Sequence, residues 1–160
     1  MSDPLSTYLE DHLAGAAYAI DLFGAIRDQH ASEPMGQFAA GMLVEVDADN
    51  GVLKELAERI GTGSSGLKGI SAWVAGKVSR LKLKRDASDG LGTFEALEFL
   101  ALGIQGKLAL WRALAVVSPG DARLRHMDFD HLVARAETQH SQVEERRIEA
   151  AHLALRPIQD

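Results

Sequence analysis

Apolar residues recur along the chain at steps of three and four, and no segment alternates at period two for long enough to make a strand. That spacing lays one apolar stripe along an α-helix. The first stripe, Leu5, Leu9, Leu13, Ala16, Ile20 and Phe23, predicts a helix over about 5–30. Ser2 or Asp3 is placed to cap it, and Pro4 suits its first turn. Ser32-Glu33-Pro34 breaks the pattern. Phe38, Met42, Val46, Leu53, Leu56 and Ile60 then predict a second helix over about 35–60, stopped by Gly61. A shorter stripe, Leu67, Ile70, Val74, Val78 and Leu81, predicts a third over about 67–84, between glycine- and serine-rich stretches. Phe94, Leu97, Ala101, Ile104, Leu108 and Trp111 predict a fourth, capped by Thr93 and reaching about Val117. The fifth starts near Asp128 and carries Phe129, Val133, Ala136, Val143, Ile148, Ala151 and Leu155 up to Pro157. The expected fold class is all-α.

Helix length then limits topology. The four long helices are each ~36–42 Å at 1.5 Å per residue. The short connections near 31–33 and 118–127 fold them into two antiparallel hairpins. The intervening segment, about 62–92, is long enough to travel the length of the bundle and bring the fourth helix in parallel to the second. The expected architecture is a single domain over 1–160, a four-helix bundle with a crossover helix. A five-helix up-and-down arrangement is the alternative.

Composition narrows the classes. With 46% hydrophobic and 25% charged residues, 160 residues suit one globular domain. The absence of cysteine excludes disulfides, thiolate metal sites and cysteine nucleophiles. A formal charge of −6 disfavours nucleic acid and anionic membranes as partners. The apolar stretch from Phe99 to Val117 is interrupted by Gln105, Lys107 and Arg112, which marks a bundle helix rather than a membrane span. Met1-Ser2-Asp3-Pro4 has neither the basic residues nor the following apolar run of a signal peptide, so the expected location is cytoplasmic.

Two long helical hairpins joined by a long crossover resemble the ferritin-like superfamily, which includes ferritins and rubrerythrins. Glu137-Thr138-Gln139-His140 on the last helix has that family's Glu-x-x-His spacing. His12-Leu13-Ala14-Gly15-Ala16 and Gly106-Lys107-Leu108-Ala109-Leu110-Trp111 also resemble stretches of uncharacterised bacterial helical proteins, and that similarity implies no function. The ferritin-like resemblance implies an iron or manganese centre, built from one carboxylate on each of two helices and Glu-x-x-His on each of the other two. Glu137 and His140 supply one such pair. The second helix departs from the motif, because Ala48 stands three residues after Glu45, and Asp49 is the substitute oxygen ligand on that face.

Depth argues against a complete centre. A turn near residue 122 makes antiparallel partners sum to about 244, which sets His140 opposite Ile104 and Glu137 opposite Lys107. Glu98 then falls level with Arg147, ~9 Å from the height a ligand needs. Lys107 puts a positive charge where a cation would bind. The simpler expectation is that Glu137–Lys107 and Glu98–Arg147 are interhelical salt bridges, with Glu45 and Asp49 partly exposed at the edge of the stripe or paired with Lys54 or Arg27. His12 is expected to be a hydrogen-bonded histidine at the core edge.

Charge is unevenly spread. Between Arg59 and Arg85 lie seven basic residues and no acidic one, which leaves 10 basic against 23 acidic residues elsewhere. The expectation is a homodimer in which Trp73, Lys77, Arg80 and Lys84 meet an acidic face of the second subunit, with an outside anionic partner as the alternative. Gly61 to Lys68 lacks the Gly-Lys-Ser/Thr ending of a phosphate loop. The functional expectation is a non-enzymatic scaffold, interaction or small-ligand-binding protein with no cofactor and a degenerate or absent dinuclear site. A metal-carboxylate oxidase or metal-storage protein using Glu45, Asp49, Glu137 and His140 is the alternative.

Overall fold

A computed structural model describes residues 3–61 and 90–157. The regular elements among them are all helical: α1 (Pro4–Gln29), α2 (Pro34–Ile60), α3 (Leu91–Val117) and α4 (Phe129–Ala154). Two 3₁₀ turns, Ser118–Gly120 and Ala122–Leu124, join α3 to α4. The expected helix over 67–84, with its Trp73, Lys77, Arg80 and Lys84, lies outside the described residues.

The helix ends follow local chemistry. Pro4 and Pro34 open α1 and α2, where a missing N–H costs nothing. Gly61 closes α2 at φ 83°, and its N–H reaches the carbonyls of Ala57 and Glu58. Asp128 caps α4 by accepting from the His131 N–H at 3.0 Å. Two expected caps are different. The Asp3 carboxylate makes no cap bond and pairs with Arg123 at 2.7 Å, tying the start of α1 to the α3–α4 connection. Thr93 is buried inside α3, which begins earlier, behind Gly90 at φ 76°. The Thr93 hydroxyl shares a 2.8 Å hydrogen bond with His30 Nε2, while His30 Nδ1 sits 2.9 Å from Glu33. The α1–α2 turn is thereby fastened to the head of α3. At this turn the backbone comes so close that a Cβ on Gly36 would lie 2.0 Å from the His30 carbonyl oxygen.

The helices pack as α1 on α2 and α3 on α4, with α1 also against α3. Their apolar stripes form two separate layers. One gathers Leu9 and Leu13 from α1, Leu53 and Leu56 from α2, Trp111 and Leu114 from α3, and Phe129 and Leu132 from α4. The other gathers Phe23 and Ile26, Met42 and Val46, Leu97 and Leu100, and Val143 in the same helix order. Helices α1 and α4 therefore start in the layer where α2 and α3 finish. Each fully buried leucine contributes about 1.5–3 kcal/mol over an exposed one, so these layers carry most of the stability.

Helix α3 supplies the broadest buried face, yet Phe99, Leu102, Val116 and Val117 stand exposed on its other side. By length and composition alone, the run Leu91–Gly120 is apolar enough to cross a membrane, and 39% of its most apolar stretch is buried against the other helices.

Candidate functional site

A polar seam lies between the two apolar layers. On α2, the stripe passes from Val46 to Leu53 through Asp49 and Asn50, which are 3% and 5% exposed. On α4, it passes from Ala136 to Val143 through Gln139, which is completely buried. Lys107 reaches in from α3. Burying four polar side chains here is tolerable only where they satisfy one another.

Most of them do. Lys107 Nζ donates to Asp49 Oδ2 at 2.7 Å and also to Gln139 Oε1. Gln139 Nε2 donates to Asp49 Oδ2 and to Glu45 Oε2, each at 3.0 Å. Arg135 lies 3.1 Å from Asp49 Oδ1 and donates to the Glu45 carbonyl at 3.4 Å. Both oxygens of Asp49 thus face cationic donors, the strong class of hydrogen bond. Two carboxylates and two cations leave the cluster with no formal net charge. Burial pushes the Lys107 ammonium below its ordinary range; Asp49 and Glu45 oppose that shift, and Arg135 adds to it.

The four residues proposed from sequence as metal ligands are divided. Glu45 and Asp49 belong to the network. Glu137 instead points outward and pairs with Arg112 at 2.7 Å, both side chains more than half exposed. His140 is half-buried beside Glu144, whose carboxyl is held low chiefly by hydrogen bonds from Arg147, with a smaller contribution from His140. Among the described residues no three histidine or carboxylate side chains converge as a metal would require. The donor set does not fit a dinuclear centre, because Lys107 and Arg135 occupy the faces of Asp49 that a metal would need.

Two further expectations change. Glu137–Lys107 is not the salt bridge formed: Lys107 pairs with Asp49, one helix further in. Asp49 is not an edge carboxylate and has neither Lys54 nor Arg27 as its partner; Arg27 bonds its neighbour Asp28 at 2.8 Å. The Glu98–Arg147 bridge does form, at 3.2 Å, with Arg147 also held by Glu144.

Beside the network, a cleft of about 60 Å³ opens between α1, α2 and α3. Its lining includes Gly15, Ala16 and Ala19 on α1, Asn50 on α2, and Gly103 and Lys107 on α3. Helix α1 has no buried side chain between Leu13 and Leu22, the stretch that faces this space. His12 also lines the cleft. It packs edge-on against Tyr8 at 4.7 Å rather than through a hydrogen bond, and burial lowers its pKa more than the nearby Asp11 raises it.

Asn50 and Gln139 were missed from sequence because polar residues were assigned to the surface. The signal was present as gaps: Val46 to Leu53 skips a full turn of an otherwise regular stripe, and Gln139 stands three after Ala136 and four before Val143. No protein-family model matches the chain, and no curated protein or solved structure matches it.

Proposed function

We propose that this protein is a non-enzymatic, cytoplasmic bundle of ferritin-like arrangement that works by binding, and that a charge network stands where such a bundle would hold its metals. The observation that carries this is Lys107 Nζ donating to both Asp49 and Gln139 at the centre of the helices. An ammonium group there repels a cation and uses the lone pairs a metal would take. The opposed directions of α1 and α4 against α2 and α3, inferred from the two core layers, also support the ferritin-like arrangement.

Metal content separates this from an oxidase or storage role. Protein purified without chelator from iron- and manganese-replete medium should carry well below one metal ion per chain, read by elemental analysis. A stoichiometric iron or manganese content that disappears in Glu45→Ala or His140→Ala would overturn the proposal in favour of a metal-carboxylate protein.

A further inference from the structure

We propose that the outward row of α3 is the interface of an antiparallel dimer of this chain. Helix α3 carries four charged residues in 27, and one of them, Lys107, is turned into the seam. A helix apolar on all sides is ordinarily buried on all sides. Here Phe99, Leu102, Ala109, Ala113 and Val116 are exposed, and with the half-buried Gly106 they step by three and four along one line. Alternating steps of three and four are the spacing of a seam between two helices. The line begins one turn past Glu95 and, at about 3.6 residues per turn, lies on the side of α3 opposite Ile104 and Trp111. Phe99 is held edge-on against Tyr18 at 6.4 Å, which fixes the largest side chain of the row in place.

Size and charge choose a second copy as the occupant. The row is large at one end, with Phe99 and Leu102, and small in its middle, with Gly106 and Ala109. An antiparallel copy whose two-fold axis is level with Ile104 sets Phe99 against the partner's Ala109 and Leu102 against the partner's Gly106. Glu98, Gln105 and Arg112 stand seven apart along one flank of the row. The same register brings Gln105 beside the partner's Gln105, and Glu98 to ~3 Å in height from the partner's Arg112. Glu98 and Arg112 pair with Arg147 and Glu137 of their own chain, yet both remain more than half exposed. A parallel copy would instead stack Glu98 on the partner's Glu98 and Arg112 on the partner's Arg112, like charge on like. A lipid surface offers no match for these flanking charges, and a formal charge of −6 opposes an anionic one. A contact ~26 Å long and one helix wide buries on the order of 500 Å² per copy, near the lower bound for a specific interface. The dimer is therefore weak and reversible.

Sedimentation of the full chain should show a monomer–dimer equilibrium with a dissociation constant on the order of 10 μM. Leu102→Lys, at an exposed position, should abolish the dimer without lowering the melting temperature. Glu98→Arg should weaken it roughly tenfold, and adding Arg112→Glu to that variant should restore the wild-type value. Because the chain has no cysteine, Gln105→Cys places a single thiol beside the axis, and it should form a disulfide-linked dimer with oxidised glutathione. Val116→Cys, ~36 Å from the partner's Val116, should not. Cross-linking of both variants would make the pair parallel and overturn the proposal. A chain that stays monomeric at about 300 μM would overturn it as well. Binding of that monomer to neutral lipid vesicles would then assign the row to a membrane, and a Leu102→Cys thiol closed to reagent would assign it to residues 62–89 of the same chain.

Discussion

Lys107 is the residue on which the interior depends. Its side chain is only 17% exposed, and its burial is offset by Asp49 and Gln139. Lys107→Met should therefore cost about 3 kcal/mol in urea denaturation, because it leaves the buried Asp49 with Arg135 as its one cationic partner among the described residues. Replacing Asp49 by leucine in the same chain should restore most of that loss, since an apolar pair of similar volume is often as stable as a buried ion pair. Two glycines respond in opposite directions. Gly36→Ala forces a methyl into the His30 carbonyl and should destabilise by about 1–3 kcal/mol. Gly103→Ala meets open space and should stabilise by about 0.5–1 kcal/mol through helix propensity. Thermal or urea melts of the two variants check both signs.

At the scale of the helix, stripe spacing was enough to find α1 to α4 and the core residues of α3. Depth was legible as well: pairing Glu98 with Arg147 follows from the turn position alone and is what the structure shows. Rotation about the helix axis was not. On α4 the expected Phe129, Ala136 and Val143 are buried, but Leu132 and Gln139 complete the buried row in place of Val133, Ile148 and Leu155. Ile148 and Leu155 are 48% and 61% exposed. The residue that fills the row between Ala136 and Val143 is Gln139, which leaves His140 half-buried beside it and Glu137 exposed. Apolar pattern alone misleads where a buried position is polar and its partners lie on other helices. Long-range links such as His30 to Thr93 are invisible to it for the same reason. His30→Ala should loosen the α1–α2 turn from α3 by about 1–2 kcal/mol, with faster amide exchange at Thr93.

For the whole molecule, the division into two apolar layers around a polar seam makes stability sensitive to pH. Burial lowers the folded pKa of His12 from 6.5, so the unfolded chain binds the proton more tightly. Its contribution is present above pH 6.5 and is lost as pH falls through the lower folded value. The urea midpoint should drop between pH 7.5 and 5.5, and less so in His12→Phe, which keeps the ring contact with Tyr8. Asp121, lowered to about 2 by hydrogen bonds from Arg123, adds a separate loss as pH falls from 3.8 toward 2. The central claim is that Lys107 and Asp49 hold the seam together as a pair. A double-mutant cycle with Lys107→Met and Asp49→Leu tests it most directly. The account predicts a favourable coupling of about 2–3 kcal/mol, and coupling below about 0.5 kcal/mol would contradict it.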